Sequence, residues 1–150
     1  MTAALTTDRQ WARLVAGWLV ALVSTLGALF ASEVLALSPC VLCWWQRVAM
    51  FPLVLILGID AWQQDPRSVT YAWPLAAVGW LVALYHCLLY GGFIPQGLQP
   101  CGQGSPCVAQ SLEVMGFITI PLLSFFAFSF LLFLLLPLRR AAGTSPSFSP

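Results

Sequence analysis

The stretch Val69–Tyr90 reads VTYAWPLAAVGWLVALYHCLLY, with no Asp, Glu, Lys or Arg in it; its most polar member is His86, near the end. A helix crossing the hydrocarbon core of a bilayer needs about 20 mostly apolar residues, and this run is that long. Three further stretches read the same way. Leu14–Leu37 holds one charge, Glu33, near its end, and Phe117–Leu138 holds none. Val48–Ile59 is short and bounded by Arg47 and Asp60, but with its flanking Cys43, Trp44, Trp45, Ala61 and Trp62 it reaches spanning length. An arginine at a helix end snorkels to the headgroups. The pattern predicts an all-α integral membrane protein, a four-helix bundle with helices over about 14–37, 43–62, 69–90 and 117–138. Residues 1–140 then form one transmembrane domain, and the small, polar, Pro-containing tail 141–150 is expected to be disordered.

Composition agrees. Of the 150 residues, 60% are hydrophobic and 7% charged, against about 25% charged in soluble domains. With no lysine and no basic patch, a nucleic-acid partner is not expected; the lipid bilayer is. There is no room for a soluble catalytic domain beside the spans, so function belongs to the spans and their connections. The first apolar run is too long for the h-region of about 7–15 residues in a signal peptide, and no A-x-A site follows, so it reads as a retained span. The chain has no internal repeat.

Arginine placement orients the bundle. Arg9 and Arg13 precede the first span, Arg67 lies between the second and third, and Arg139 and Arg140 follow the fourth. The opposite side has Arg47 alone, with no basic residue in 91–116. Both termini are expected in the cytoplasm. The two remaining connections then face outward, where disulfides persist.

Each outward connection carries a cysteine pair. The first lies in Ser38-Pro39-Cys40-Val41-Leu42-Cys43-Trp44-Trp45-Gln46-Arg47. Ser is a favoured N-cap and Pro a favoured first helical residue, so the second helix is expected to open at Pro39 with both cysteines in its first turns. The helix N-terminus stabilises a thiolate there. Arg47, one turn after Cys43, shares its face, where a permanent charge stabilises a thiolate or a reduced, anionic acceptor. Trp44 and Trp45 read either as an interfacial aromatic belt or as stacking surfaces for a flat cofactor. The C-x-x-C itself reads as a redox pair, a structural disulfide or half of a zinc site. No metal ligand set is expected, because zinc needs convergent ligands kept reduced, and c-type haem would need His where Trp44 stands.

The second pair is Cys101-Gly102-Gln103-Gly104-Ser105-Pro106-Cys107. Gly and Pro allow the bend such a short bridge requires. Closing so small a loop contributes only about 2 kcal/mol in the chain-entropy model, little as a staple for a bundle. A labile disulfide in a Gly- and Pro-rich loop suits thiol exchange instead. Val108, Leu112 and Met115 recur at helical spacing, as in a short helix on the outer surface.

His86 lies about one turn, roughly 6 Å, below the outer end of the third span. Arg47 is one turn below Cys43, so the two are expected to flank one site. An ionisable residue at that depth is a functional candidate; the alternative is a histidine bonded to a neighbouring helix. Cys87, the odd cysteine, reads as a small hydrophobe.

The segments Pro39–Arg47 (PCVLCWWQR), Met50–Pro52 (MFP), Tyr85–His86, the C-x5-C loop and Gly116–Pro121 (GFITIP) together resemble the DsbB/BdbC family of bacterial disulfide bond formation proteins, with the short second-pair spacing of the BdbC branch. The resemblance covers nearly the whole chain. It implies a four-helix protein of the bacterial cell (inner) membrane, a protein dithiol:quinone oxidoreductase. Such an enzyme reoxidises an extracytoplasmic thioredoxin-like (DsbA/BdbD-like) thiol oxidase and passes the electrons to a membrane quinone, menaquinone or ubiquinone. By motif position, Cys101 and Cys107 exchange with the partner and Cys40 and Cys43 lie next to the quinone, with Cys43 in contact. Arg47 and His86 correspond to the family's quinone-site arginine and third-helix histidine, and Trp44 is placed to stack. Cys87 has no counterpart in that pattern. Two rivals differ in class. Vitamin K epoxide reductases also pair CxxC with a quinone-like ligand, but place it near the last helix. A non-enzymatic membrane scaffold would hold two structural disulfides.

Overall fold

The computed structural model describes residues 2–36, 39–64, 68–93 and 119–143. They form four helices, α1 (Thr2–Glu33), α2 (Val41–Gln63), α3 (Val69–Tyr90) and α4 (Ile120–Gly143). All four contain stretches long and apolar enough to cross a membrane, and no strand occurs among the described residues. The loop pair Cys101 and Cys107, the surface helix expected after it, Arg67 and the tail 144–150 lie outside the described residues.

Helix ends depart from the hydropathy reading where apolarity and helicity part company. α1 starts at Thr2 rather than Leu14, because Asp8, Arg9, Gln10 and Arg13 are polar but do not break a helix. It stops at Glu33 rather than Leu37: Val34 N and Leu35 N both bond to Phe30 O, at 2.9 and 3.3 Å, and Ala36 takes a left-handed φ of 52°. α4 runs on to Gly143 past the expected end at Leu138, because Pro137, Arg139 and Arg140 do not stop it.

The helices run up and down. At one end Trp11 Nε1 donates to Ala61 O over 3.1 Å, and the Arg139 guanidinium lies 4.1 Å from the centre of the Trp73 ring. Nearer the other end, Arg47 bonds to Ser32 and Ala28, and His86 approaches Cys40. Each helix packs mainly on its neighbours in chain order, and α4 closes the ring on α1.

Large side chains of one helix meet small ones of the next. Phe128, Leu131 and Leu135 from α4 and Leu53 and Leu57 from α2 are buried with Ala21, Ala49, Ala72, Ala76 and Ala83. In lipid, helices associate through such close packing rather than by hydrophobic exclusion. Gly79 shows it most sharply, since a Cβ there would collide with the Phe128 ring. Trp80 Nε1 donates to Ser129 Oγ at 2.9 Å, and Ser129 Oγ donates to Phe125 O at 2.8 Å. These bonds tie α3 to α4. Leu55, Leu81, Phe126 and Phe133 face outward, as lipid-facing residues do.

Candidate active site

α2 opens differently from expectation. Its N-cap is Cys40, in extended conformation (φ −70°, ψ 165°), and the cap bond runs from Cys43 N to Cys40 Sγ at 3.1 Å. Helix geometry begins at Val41, so Pro39 precedes the helix and is not its first residue. The expected cap, Ser38, lies outside the described residues. The cysteine sulfur occupies the place a serine oxygen would take and satisfies one of the orphan N–H groups of the first turn. Cys40 and Cys43 are joined as a disulfide, and both are half-buried. When that bond opens, a thiolate at Cys40 sits directly on the helix N-terminus, where the backbone dipole favours negative charge.

On the α3 side, His86 Nε2 lies 3.9 Å from Cys40 Sγ, and His86 Nδ1 lies 3.2 Å from Gln46 Nε2. His86 is 2% exposed and Gln46 6%, so both polar groups are satisfied inside the bundle. With the amide N–H donating to Nδ1, the ring carries its proton on Nε2 and directs it at the sulfur. With the amide turned about, Nδ1–H donates to Oε1 and the Nε2 lone pair faces the sulfur. Sequence reasoning passed over Gln46. A polar amide inside an apolar span, between the CxxC and Arg47, is the signal that marks it.

Arg47 points to the α1 side. Its Nη2 donates to Ala28 O at 2.7 Å and its Nη1 to Ser32 Oγ at 3.3 Å, and its guanidinium lies 5.8 Å from the centre of the Trp44 ring. Ser32, Glu33, Pro39, Trp44, Arg47 and Phe51 line a cavity of about 460 Å³. The described candidates therefore divide around the CxxC turn. His86 and Gln46 stand with the Cys40 sulfur, while Arg47 and Trp44 stand in the cavity against α1. Trp44 and Trp45 are more than half exposed, at 55% and 60%, as an interfacial belt also requires. Cys87 is a free, half-buried thiol beside His86.

Among the described residues, the donor atoms of Cys40, Cys43 and His86 lie within 4.8 Å of one another. In the disulfide the two sulfurs are bonded to each other, and the arrangement is that of a redox pair with a histidine against it.

Comparison with known proteins agrees with this chemistry. The family model described as "Disulfide bond formation protein DsbB" matches residues 9–138. A "Probable disulfide formation protein" of Metapseudomonas resinovorans is 46% identical over 131 residues, covering 87% of this chain and 91% of that one. "Disulfide bond formation protein C" of Bacillus subtilis is 46% identical over 117 residues, covering 77% and 83%. A "Probable disulfide formation protein" of Coxiella burnetii is 44% identical over 113 residues, covering 73% and 76%. No solved structure matches the chain. A disulfide capping a membrane helix, a buried histidine against its sulfur and these relatives together make the molecule a multi-pass, disulfide-generating membrane oxidoreductase, and the chain belongs to the DsbB family of disulfide bond formation proteins.

Proposed function

We propose that this protein takes electrons from an extracytoplasmic thioredoxin-like thiol oxidase at Cys101–Cys107, passes them to Cys40–Cys43, and delivers them to a menaquinone or ubiquinone in the membrane. The observation that carries the reading is the position of the Cys40–Cys43 disulfide beside a cavity holding a fixed cation. The cavity fits a quinone head group: about 460 Å³ lies within the usual range for small-molecule sites, Trp44 offers a flat face, and Arg47 offers charge. Such a quinone, when bound, accepts two electrons and two protons.

The chain's residues divide the remaining work. A partner thiolate attacks the loop disulfide and its second thiol resolves the mixed disulfide. This leaves an oxidised partner and a reduced Cys101–Cys107 pair. That pair reduces Cys40–Cys43 by the same exchange, one S–S bond breaking as another forms. The Cys40 sulfur so released lies between the Cys43 backbone N–H and His86 Nε2. Cys43 shares a helix face with Arg47 and is the pair's electron donor. Arg47, locked by Ser32 and the Ala28 carbonyl, offsets the negative charge that builds in the cavity.

We place the cysteine end of the bundle outside a bacterial inner membrane, with both termini in the cytoplasm. Support comes from Arg9, Arg13, Arg139 and Arg140, which all belong to the end of the bundle opposite Cys40, as the positive-inside rule requires.

The test is anaerobic. Reduced protein mixed with quinone should regain the Cys40–Cys43 disulfide with stoichiometric quinol, read by absorbance and by alkylation of each cysteine. Quinol formation that survives Cys43→Ser overturns the assignment of the donor. Normal electron uptake from a reduced thioredoxin-like partner by Cys101→Ser overturns the assignment of the loop.

A further inference from the structure

The three donor atoms around the disulfide have a geometry the redox reaction does not require. Cys40 Sγ, Cys43 Sγ and a ring nitrogen of His86 lie within 4.8 Å of one another. The Cys40 Sγ–His86 Nε2 edge measures 3.9 Å. Around a tetrahedral zinc ion with Zn–S of about 2.3 Å and Zn–N of about 2.0–2.1 Å, neighbouring ligand atoms stand roughly 3.5–3.8 Å apart. The sulfur–nitrogen edge is already close to that length. The sulfur–sulfur edge is spanned by a covalent bond; reduction opens it and lets the Cys43 sulfur, within 4.8 Å of the imidazole nitrogen, turn to the same ion.

A second observation concerns the imidazole. Metal-bound histidines almost always have their other ring nitrogen held by a hydrogen-bonding partner, which fixes the ring. His86 Nδ1 already has one, the side-chain amide of buried Gln46 at 3.2 Å, and Nε2 faces the Cys40 sulfur at 3.9 Å. The ring is therefore oriented for ligation through Nε2. The half-buried cysteines leave a cation a way in.

We propose that the reduced site, with Cys40 and Cys43 as thiolates and His86 binding through Nε2, is a Cys2His site for a thiophilic divalent cation of the zinc class, and that the disulfide form is not. Binding forms two metal–sulfur bonds and one metal–nitrogen bond and releases the two thiol protons. No electron moves. The electron pair that would otherwise leave stays on sulfur, so the cation holds the enzyme in its dithiol state and stops turnover. The fourth coordination position is left to water. The proposal rests on the reading that this pair cycles between disulfide and dithiol.

The experiment uses the full chain carrying Cys87→Ser, Cys101→Ser and Cys107→Ser, reduced, freed of reductant under argon and titrated with Co2+. The expected result is one equivalent bound, with sulfur-to-cobalt charge-transfer absorption in the near ultraviolet, tetrahedral d–d bands, and displacement by Zn2+. The disulfide form should give none of these. His86→Ala should weaken Co2+ binding at least tenfold, and Gln46→Leu by about 10–100-fold, the usual effect of losing the partner behind a metal-bound histidine. In the otherwise unsubstituted reduced protein, which needs no variant to fold, Zn2+ should shield Cys40 and Cys43 from iodoacetamide and leave Cys101 and Cys107 reactive.

Absence of the bands in reduced protein with titratable thiols and native near-ultraviolet circular dichroism overturns the proposal. So does Co2+ binding undiminished in His86→Ala, or Zn2+ shielding that does not favour Cys40 and Cys43. The outcome is separable from the quinone reading. Reduced protein that binds Co2+ but, assayed free of metal, passes no electrons to quinone sinks that reading alone, and protein that reduces quinone but binds no Co2+ sinks this one alone.

Discussion

Arg47 is held by a fork, Nη2 on a backbone carbonyl and Nη1 on a hydroxyl, both from α1. A lysine ammonium carries the same charge but not the planar pair of donors. Hydrogen bonds involving a charged group are worth about 1.5–3 kcal/mol each. Arg47→Lys should therefore raise the quinone KM about tenfold or more while leaving electron uptake from a thiol partner intact. Ser32→Ala, which removes only the longer arm, should raise it less than Arg47→Lys does. Steady-state quinol formation against quinone concentration reads both, and equal effects on the two half-reactions would refute the assignment. At this scale the sequence was partly legible. Cys40, Cys43, Arg47 and His86 stand out as polar or reactive groups in an apolar chain. Gln46 is marked only as a polar amide in an apolar span, and its role comes from its contact with His86 forty residues away.

At the scale of the helix, Cys40 does two things at once: its sulfur forms the disulfide and also caps α2. Substitution can separate the roles. Serine is a good N-cap and alanine a poor one, the difference being about 0.5–2 kcal/mol. Cys40→Ser and Cys40→Ala should both lose quinone reduction, but Cys40→Ala should also unfold at lower temperature in detergent. Equal unfolding temperatures would show that the cap bond contributes nothing. Between helices, Gly79 lets the Phe128 ring approach α3. Overpacking of a core costs about 1–3 kcal/mol, so Gly79→Leu should lower the unfolding temperature, while Val78→Leu, on an exposed position, should not. Span positions were legible because twenty apolar residues have one interpretation in a membrane. Ends were less so: α1 outruns its apolar segment at the start, and α4 outruns its own at the finish.

For the whole molecule, Arg9, Arg13, Arg139 and Arg140 gather at one end, and the reactive disulfide lies at the other with Arg47. The expected orientation is testable in intact cells. A membrane-impermeant maleimide should label reduced Cys40 and Cys43 from outside, whereas a cysteine placed in the tail by Ser147→Cys should react only after lysis. Labelling of the tail in intact cells would reverse the topology.

The amino-acid sequence by itself determined the membrane, the four spans, the positions of the cysteines and the span ends at which the arginines stand. Each of these follows from local composition along the chain. The rotation of each helix about its own axis was decided by the tertiary structure. These helices are apolar nearly all round, since lipid and protein interior are equally apolar, and an amphipathic stripe does not mark the buried face. Packing of small residues against large ones sets that rotation. It directs His86 to the Cys40 sulfur with Gln46 bonded to its other nitrogen and Arg47 to α1, and so gives the two flanks of the disulfide different chemistry.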